Sequence, residues 1–167
     1  PYFFEVEIIE PEPFILDSIK VTDVVCYGDS TGILDAYFTG GIPDYNFIFN
    51  NDSSISYNQL FAGSFYLEIV DSNGCFIDTN FIVNEPNELA ISIVDSLTFD
   101  VTCFGNNDGQ IGLDASGGVP PYQFSIFGQP SQDTNLIIEL LADTFIVAVT
   151  DSVGCQDTMT VILTQPD

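Results

Sequence analysis

The loop VTCFGNNDGQI, residues 101–111, has residue types typical of a calcium site. Asn106, Asn107 and Asp108 place side-chain oxygens beside a glycine, and Asp114 follows a short distance later. A calcium ion takes about 6–8 oxygen ligands from carboxylates, carbonyls and water. No glutamate closes the loop, so the EF-hand pattern is not met. These four residues are calcium candidates, and the alternative is a turn between two strands.

A second copy of the loop, VVCYGDSTGIL at residues 24–34, shows which features the chain keeps. The oxygen ligands are not copied, because Tyr37 stands at the place of Asp114. The copies share glycines instead: Gly28 with Gly105, and Gly32 with Gly109. Glycine reaches positive φ, and Asx side chains cap turns. The comparison therefore favours a turn. We predict that the chain requires no cofactor, and calcium is the one ion that it could bind.

Catalytic chemistry has few available groups. The chain has no His or Arg, and Lys20 is its one basic residue. Ser–His and Cys–His nucleophile arrangements therefore cannot form within it. Two carboxylates could serve a glycosidase, but no Trp is present to stack on sugars. We predict that the chain is not an enzyme.

Two further pairs of residues recur at matching positions. Asp71 and Asp151 begin Asp-Ser-x-Gly turns, where an aspartate is expected to accept backbone N–H groups; metal binding is the alternative.

Tyr45 and Tyr122 follow Gly-Gly-x-Pro turns. We expect both tyrosines to pack over the proline and cap the core. Carbohydrate stacking is the alternative, which makes them the candidate ligand-binding residues.

The charge of the chain limits its partners. It carries 25 acidic side chains against one basic one, a net charge of −24. Such a surface repels nucleic acid and anionic membranes. No apolar run approaches the roughly 18 residues of a membrane span. The composition therefore predicts no nucleic-acid partner and no membrane insertion, and it suits either a saline exterior or cation binding.

The chain consists of tandem repeats of about 80 residues. Residues 26–45 align with 103–122 without a gap, and residues 62–86 align with 142–166. VEIIEP at 6–11 matches the ends of both repeats, FIVNEP and VILTQP. We therefore predict the last strand of a preceding repeat at 1–11, repeat one at 12–86 and repeat two at 87–167. Without an initiating Met or a signal-peptide pattern, the chain is expected to be part of a longer protein.

Each repeat has the alternation of β-structure. Leu34, Ala36 and Phe38 alternate with Asp35, Tyr37 and Thr39, and repeat two places Ile111, Leu113 and Ala115 on the same face. A period of two indicates half-buried strands. Gly-Gly-x-Pro, Asp-Ser-x-Gly and Asn-Asp-Gly separate the strands as turns. Six or seven short strands in about 80 residues predict an all-β chain of two tandem Ig-like β-sandwiches.

The four cysteines, Cys26, Cys75, Cys103 and Cys155, contain no C-x-x-C pair. Disulfides in an extracytoplasmic setting therefore fit better than a metal site. We predict bridges between Cys26 and Cys75 and between Cys103 and Cys155, because these halves match between the repeats. Each bridge would close about 50 residues, worth roughly 4 kcal/mol in the chain-entropy estimate. Pairing across repeats is the alternative.

Taken together, the motifs resemble the SprB-type repeat of bacterial gliding adhesins. The signatures are Cys-Phe-Gly-x-x-Asp-Gly at 103–109, Gly-Gly-x-Pro-Pro-Tyr at 117–122 and Val-x-Asp-x-x-Gly-Cys at 149–155. Repeat one has related forms, although Asp44 replaces the second proline. The resemblance implies a large, secreted cell-surface protein with many repeats, exported by the type IX system. It implies no particular ligand.

We therefore predict a non-catalytic structural or adhesion module that gives an extracellular protein reach and stiffness. Its partners would be neighbouring repeats, with surface polysaccharide or other copies of the chain as alternatives. Polysaccharide binding is thus a second hypothesis. A third is strand exchange in an extracellular fibre, because Val6 and Ile8 lie on the apolar face of the strand predicted at 1–11.

Overall fold

Alternating apolar and polar side chains form β-strands throughout the described chain. The computed structural model describes residues 3, 5, 7, 9–50, 52 and 57–167. Within these residues the only helical element is a single 3-10 turn at Asp95–Leu97. The predicted all-β class is confirmed. The strand predicted at 1–11 depends on Val6 and Ile8, which lie outside the described residues.

Contacts divide the chain into two units. The first comprises Pro1–Val24 and Asp29–Asn84, and the second comprises Val25–Gly28 and Glu85–Asp167. The short segment Val25–Gly28 is thus part of the second unit, although the sequence alignment assigns it to the first repeat. The domain boundaries drawn from the alignment stay a prediction.

The first unit contains two antiparallel sheets. β1 and β2 pair in one sheet, and β4 lies between β3 and β5 in the other. A bridge between Gly32 and Leu60 adds a short edge next to β2. The strands are β1 (Ile15–Thr22), β2 (Ile33–Thr39), β3 (Asn46–Phe49), β4 (Gly63–Val70) and β5 (Phe76–Val83).

The second unit has the same plan, but both of its sheets have three strands. One sheet has the order β6-β7-β9 and the other β11-β10-β8, and all pairs are antiparallel. Two antiparallel sheets of this kind form an Ig-like β-sandwich, as predicted. The strands are β6 (Ala90–Ile93), β7 (Gly109–Ser116), β8 (Gln123–Ile126), β9 (Leu136–Leu140), β10 (Thr144–Thr150) and β11 (Gln156–Ile162).

Each unit has its own apolar core, built from the inward faces of its strands. The largest fully buried side chains of the first unit include Phe49, Leu67 and Ile69, and those of the second include Ile111 and Leu113. The prediction that Leu34, Ala36 and Phe38 share the inward face of one strand is confirmed. Leu34 is buried, and Ala36 and Phe38 pack against the same core. Among the described residues, no helix is long and apolar enough to cross a membrane.

Candidate functional site

Asp151 fixes the turn between β10 and β11. Its side chain is buried, with 6% of its surface exposed. One carboxylate oxygen accepts the N–H of Val119 at 2.8 Å. The other accepts the N–H groups of Val153 at 3.1 Å and Cys155 at 2.9 Å. The aspartate therefore ties the Asp-Ser-x-Gly-Cys hairpin to the Gly-Gly-x-Pro loop.

Asp71 does the same in the first unit. It accepts the N–H groups of Ile42 at 3.0 Å, Asn73 at 2.9 Å and Cys75 at 2.8 Å. The prediction that these aspartates accept backbone N–H bonds in the hairpin turns is confirmed.

Hydrogen bonding sets the ionisation of both aspartates. Burial by itself would raise the pKa of Asp71 and of Asp151. The backbone N–H groups bonded to each carboxylate outweigh burial and hold the pKa of both below the ordinary value. Both carboxylates are therefore fully charged at neutral pH.

The Gly-Gly pair brings its turn against the chain that enters each sandwich. Gly40 has φ +74° and Gly117 has φ +73°. A Cβ at Gly40 would collide with the carbonyl of Pro13, and one at Gly117 with the carbonyl of Glu88. Both the positive φ and the close approach require glycine here.

The two Cys-x-Gly loops share one backbone conformation. Gly28 and Gly105 both have φ +77°. The N–H of Gly28 donates to Glu85 Oε2 at 2.7 Å, and the N–H of Gly105 donates to Gln165 Oε1 at 2.9 Å. Glu85 and Gln165 occupy matching positions at the ends of the two repeats. Each loop is therefore held by the residue that precedes the repeat-ending proline.

The disulfide pairing differs from the predicted one. Cys26 is bonded to Cys155, with a Cα–Cα distance of 5.7 Å. Cys75 and Cys103 are free and exposed. The predicted pairs, Cys26 with Cys75 and Cys103 with Cys155, are therefore wrong.

Strand length explains why cysteines of one repeat do not pair. In the second unit, Cys155 immediately precedes β11, whereas the loop carrying Cys103 is bonded beyond the far end of β11, at Thr164 and Gln165. At about 3.3 Å per residue, a strand of this length separates its ends by roughly 25 Å. A disulfide requires Cα atoms about 4.4–6.8 Å apart. The cysteine that does reach Cys155 comes from Val25–Gly28, which belongs to the same unit.

Sequence reasoning missed the aspartates that anchor these loops. Asp100 accepts the backbone N–H of Thr164 at 2.7 Å and its hydroxyl at 2.9 Å. Both bonds lower the pKa of Asp100, and the backbone bond has the larger effect. Asp23 holds Asn84 in the same way, with a backbone bond of 2.8 Å. Both aspartates stand three residues before a Cys-x-Gly cysteine, and that recurrence was the available signal.

The loop at 101–111 has the hydrogen bonds of a turn. Asp108 accepts the hydroxyl and the backbone N–H of Thr102, the latter at 3.1 Å. These bonds lower the pKa of Asp108, the hydroxyl bond contributing most. The N–H of Asn106 donates to the carbonyl of Cys103 at 3.1 Å. The carboxylate most central to the calcium hypothesis is thus engaged inside the turn.

The structure does not bring all four calcium candidates together. Asp114 lies within β7, where it is exposed, pairs with Ser92 and bonds the N–H of Ala115. At about 3.3 Å per residue it lies roughly 20 Å along the chain from Asp108. Asn107 is exposed in the turn. Within the described part of the chain, no group of three or more His, Cys, Asp or Glu could hold a metal ion.

Gly32 and Gly109 serve packing and not turn geometry. Neither has a positive φ. A Cβ at Gly32 would lie 2.7 Å from the carbonyl oxygen of Leu60, and one at Gly109 would lie 2.8 Å from that of Leu140. The expectation that all four shared glycines set the turn is therefore correct only for Gly28 and Gly105.

Tyr45 and Tyr122 are held in the sandwiches by a hydroxyl hydrogen bond and by packing of the ring. The hydroxyl of Tyr45 donates to the carbonyl of Gly40 at 2.9 Å, and that of Tyr122 to Gly117 at 2.6 Å. Each ring is partly buried against the core of its unit. The Tyr45 ring also stacks on Phe14, with centroids 5.6 Å apart. Their contacts are those expected of residues that cap a core.

A different aromatic surface is more open to a ligand. A groove of about 270 Å³ on the first unit is lined by Tyr37, Phe47 and Tyr57, together with Asp35. Tyr37 and Tyr57 are 54% and 53% exposed. Sequence analysis did not select Tyr37, because Asp114 stands at its place in repeat two.

The fold and the recurring contacts define a class of protein: tandem Ig-like β-sandwich repeats in which the Asp-Ser-x-Gly hairpin, the Gly-Gly turn and the Cys-x-Gly loop have matching hydrogen bonds. Within this class, residues 98–128 match the SprB repeat family. This match confirms the resemblance recognised from the motifs. No curated protein matches the chain.

Two solved structures align with 89% of this chain. One is the C-terminal 282-residue fragment of intimin in complex with the translocated intimin receptor (Tir) intimin-binding domain. It is 13% identical, with a TM-score of 0.46, and the match covers 89% of this chain and 64% of that fragment. The other comprises domains 4 and 5 of the S-layer protein SbsC, at 11% identity and TM-score 0.33, covering 89% and 98% of the two chains.

Proposed function

We propose that the chain is a non-catalytic structural and adhesion module of a long extracellular repeat protein, to which it gives reach and stiffness. The observation that carries this proposal is the disulfide between Cys26 and Cys155, which are 129 residues apart. It joins a cysteine of one sequence repeat to a cysteine of the next. Such a crosslink between cysteines of successive sequence repeats suits a protein that bears load along its length.

The chemistry of the chain supports a location outside the cell. Disulfides persist in oxidising, extracytoplasmic settings. A net charge of −24 keeps neighbouring copies soluble and apart in a saline medium. Similarity to the SprB repeat at residues 98–128 supports the same location. Export by a type IX system and a contribution to gliding motility are the finer parts of the proposal.

Surface labelling of intact cells tests the location directly. Antibodies raised against this chain should label unpermeabilised cells of the source bacterium, with immunogold particles lying beyond the outer membrane. Deleting these repeats in frame should reduce attachment or gliding while the parent protein is still exported. Label that appears only after permeabilisation would overturn the proposal.

Polysaccharide binding is a second candidate because of the groove lined by Tyr37, Phe47 and Tyr57. Exposed aromatic rings beside a carboxylate are suited to stack on sugars and to accept hydroxyl hydrogen bonds. A glycan array separates the two functions. Binding that is lost in Tyr37→Ala and kept in Tyr45→Phe would favour this second candidate. An array without reproducible binding would leave the structural role.

A further inference from the structure

The hairpin cysteines of the two units lie in matching turns but differ in bonding and in burial. The N–H of Cys75 donates to Asp71 at 2.8 Å, and the N–H of Cys155 donates to Asp151 at 2.9 Å. Residue by residue, positions 71–74 and 151–154 have the same burial. The cysteines differ, since Cys155 is only 9% exposed while Cys75 is free and exposed. The second unit differs from the first in that it includes the bonded segment Val25–Gly28.

The loop cysteines are matched in the same way. Gly28 and Gly105 have equal φ angles and donate to the matching residues Glu85 and Gln165. The loop at 103–105 therefore already has the conformation in which the loop at 26–28 forms its disulfide. Its side chains are uncovered: Phe104 is 75% exposed, against 52% for its counterpart Tyr27. Cys103 is free.

The surface beside Cys75 has the shape and groups to receive such a loop. A cleft of about 270 Å³ adjoins Cys75 and is lined by the chain entering the unit, including Glu10, and by Asp71 and Asn73. Glu10 aligns with Glu85, the acceptor of the Gly28 N–H. The first unit thus has both a hairpin thiol and a carboxylate in the places that the second unit uses.

We infer that Cys75 and Cys103 are the two complementary halves of a disulfide of the Cys26–Cys155 type, and that the partner of each is another repeat of this kind. Cys75 receives the Cys-x-Gly loop cysteine of a preceding repeat. Cys103 bonds the hairpin cysteine of a following repeat. In each case two thiols lose two protons and two electrons to a disulfide oxidant, for example glutathione disulfide, which is reduced to two glutathione thiols.

A tandem of two copies of the chain tests this inference. Pro166 aligns with Pro11, so joining residues 1–166 to residues 12–167 of a second copy keeps the repeat register. The tandem should be refolded with glutathione disulfide, then digested without reduction and mapped by mass spectrometry. We expect a new bond between Cys103 of the first copy and Cys75 of the second. Free thiols should number two in the tandem, equal to the single chain, and not four.

The end cysteines of the same molecule serve as internal controls. Cys75 of the first copy and Cys103 of the second lack a partner repeat and should stay free. Replacing Cys103 of the first copy by Ser should leave Cys75 of the second copy free while both Cys26–Cys155 bonds remain. Four free thiols in a folded tandem, or a bond between Cys75 and Cys103 of the same copy, would overturn the inference. Circular dichroism confirms that each variant is folded.

This inference deepens the proposed function, since it names the partners of a repeat module as other repeats. The two fail separately. An unlinked tandem would remove the crosslink between further repeats and leave the surface-labelling experiment unaffected. An intracellular location would overturn the proposed function whatever the tandem showed.

Discussion

Cys26 and Cys155 are 129 residues apart in the sequence and 5.7 Å apart at their Cα atoms. Their bond closes a loop that contains most of both repeats. In the chain-entropy estimate, a loop of this length stabilises the folded state by about 5 kcal/mol relative to the open chain. The crosslink is therefore expected to be the largest single covalent contribution to the stability of the chain.

Replacing Cys155 by Ser should lower the free energy of unfolding by up to about 5 kcal/mol, because the unfolded chain then regains its loop entropy. Urea titration without reductant measures this change. Cys75→Ser is the matched control: it alters the equivalent hairpin position, where the thiol is free and exposed, and should leave the titration unchanged. Equal losses in the two variants would show that the bond does not carry the stability.

Asp151→Asn should destabilise the second unit, by about 2 kcal/mol at neutral pH, since hydrogen bonds to a charged acceptor are stronger than those to an amide. The pKa of Asp151 is lowered from 3.8 in the folded state. Its charge therefore stabilises the fold fully above the pKa of the unfolded chain, and that contribution is lost as the pH falls below about 3.8. The difference between Asp151→Asn and the unaltered chain should shrink accordingly.

Urea titrations at pH 7, 5 and 3 measure this difference. Asp167→Asn removes one negative charge at an exposed position and controls for net charge. A stability gap that stays constant from pH 7 to pH 3 would contradict the assigned role of the carboxylate.

Tyr122→Phe should lower the stability of the second unit by about 1 kcal/mol, because it removes the hydroxyl that bonds the Gly117 carbonyl and keeps the ring. Tyr122→Ala should cost more, about 2–3 kcal/mol, since the packing of a partly buried ring is also lost. Thermal melts rank the two variants. An Ala variant that melts like the unaltered chain but loses glycan binding would instead identify Tyr122 as a ligand residue.

Thermal melts in millimolar calcium and in EDTA, at equal ionic strength, should superimpose. The reason is that Asp108 is hydrogen-bonded to Thr102 within the turn, while Asp114 lies far along β7. An ion that binds the folded state and not the unfolded state would raise the melting temperature once its concentration exceeds its Kd. A calcium-specific rise that disappears in Asp108→Asn would return Asn106, Asn107, Asp108 and Asp114 to consideration as ligands.

The sequence was sufficient to predict features that depend on residues close together along the chain. Alternation in the strands predicted the inward positions of Leu34 and of its counterpart Ile111, which are both buried. The repeated Asp-Ser-x-Gly turn predicted the roles of Asp71 and Asp151, because each aspartate finds two of its backbone N–H partners within four residues.

Features that depend on distant segments could not be read in the same way. The disulfide pairing was wrong because equal positions in two repeats do not show which ends of the strands meet. The strand between Cys75 and Asn84 keeps its two ends apart, and no local pattern reports that Cys26 lies with Cys155. Similarly, Gly109 resembles a turn residue in sequence, although it is required by the nearby Leu140 carbonyl.

The position of the Cys26–Cys155 bond also determines how the chain would respond to tension. When the two ends are pulled, force passes along residues 1–26, across the sulfur–sulfur bond and out through residues 155–167. The intervening chain, about 45 nm long when extended at roughly 3.5 Å per residue, cannot be pulled out to that length while the bond is intact. Reduction would release that hidden length. The crosslink thus acts as a mechanical bypass, in which the redox state sets how far the protein can be stretched.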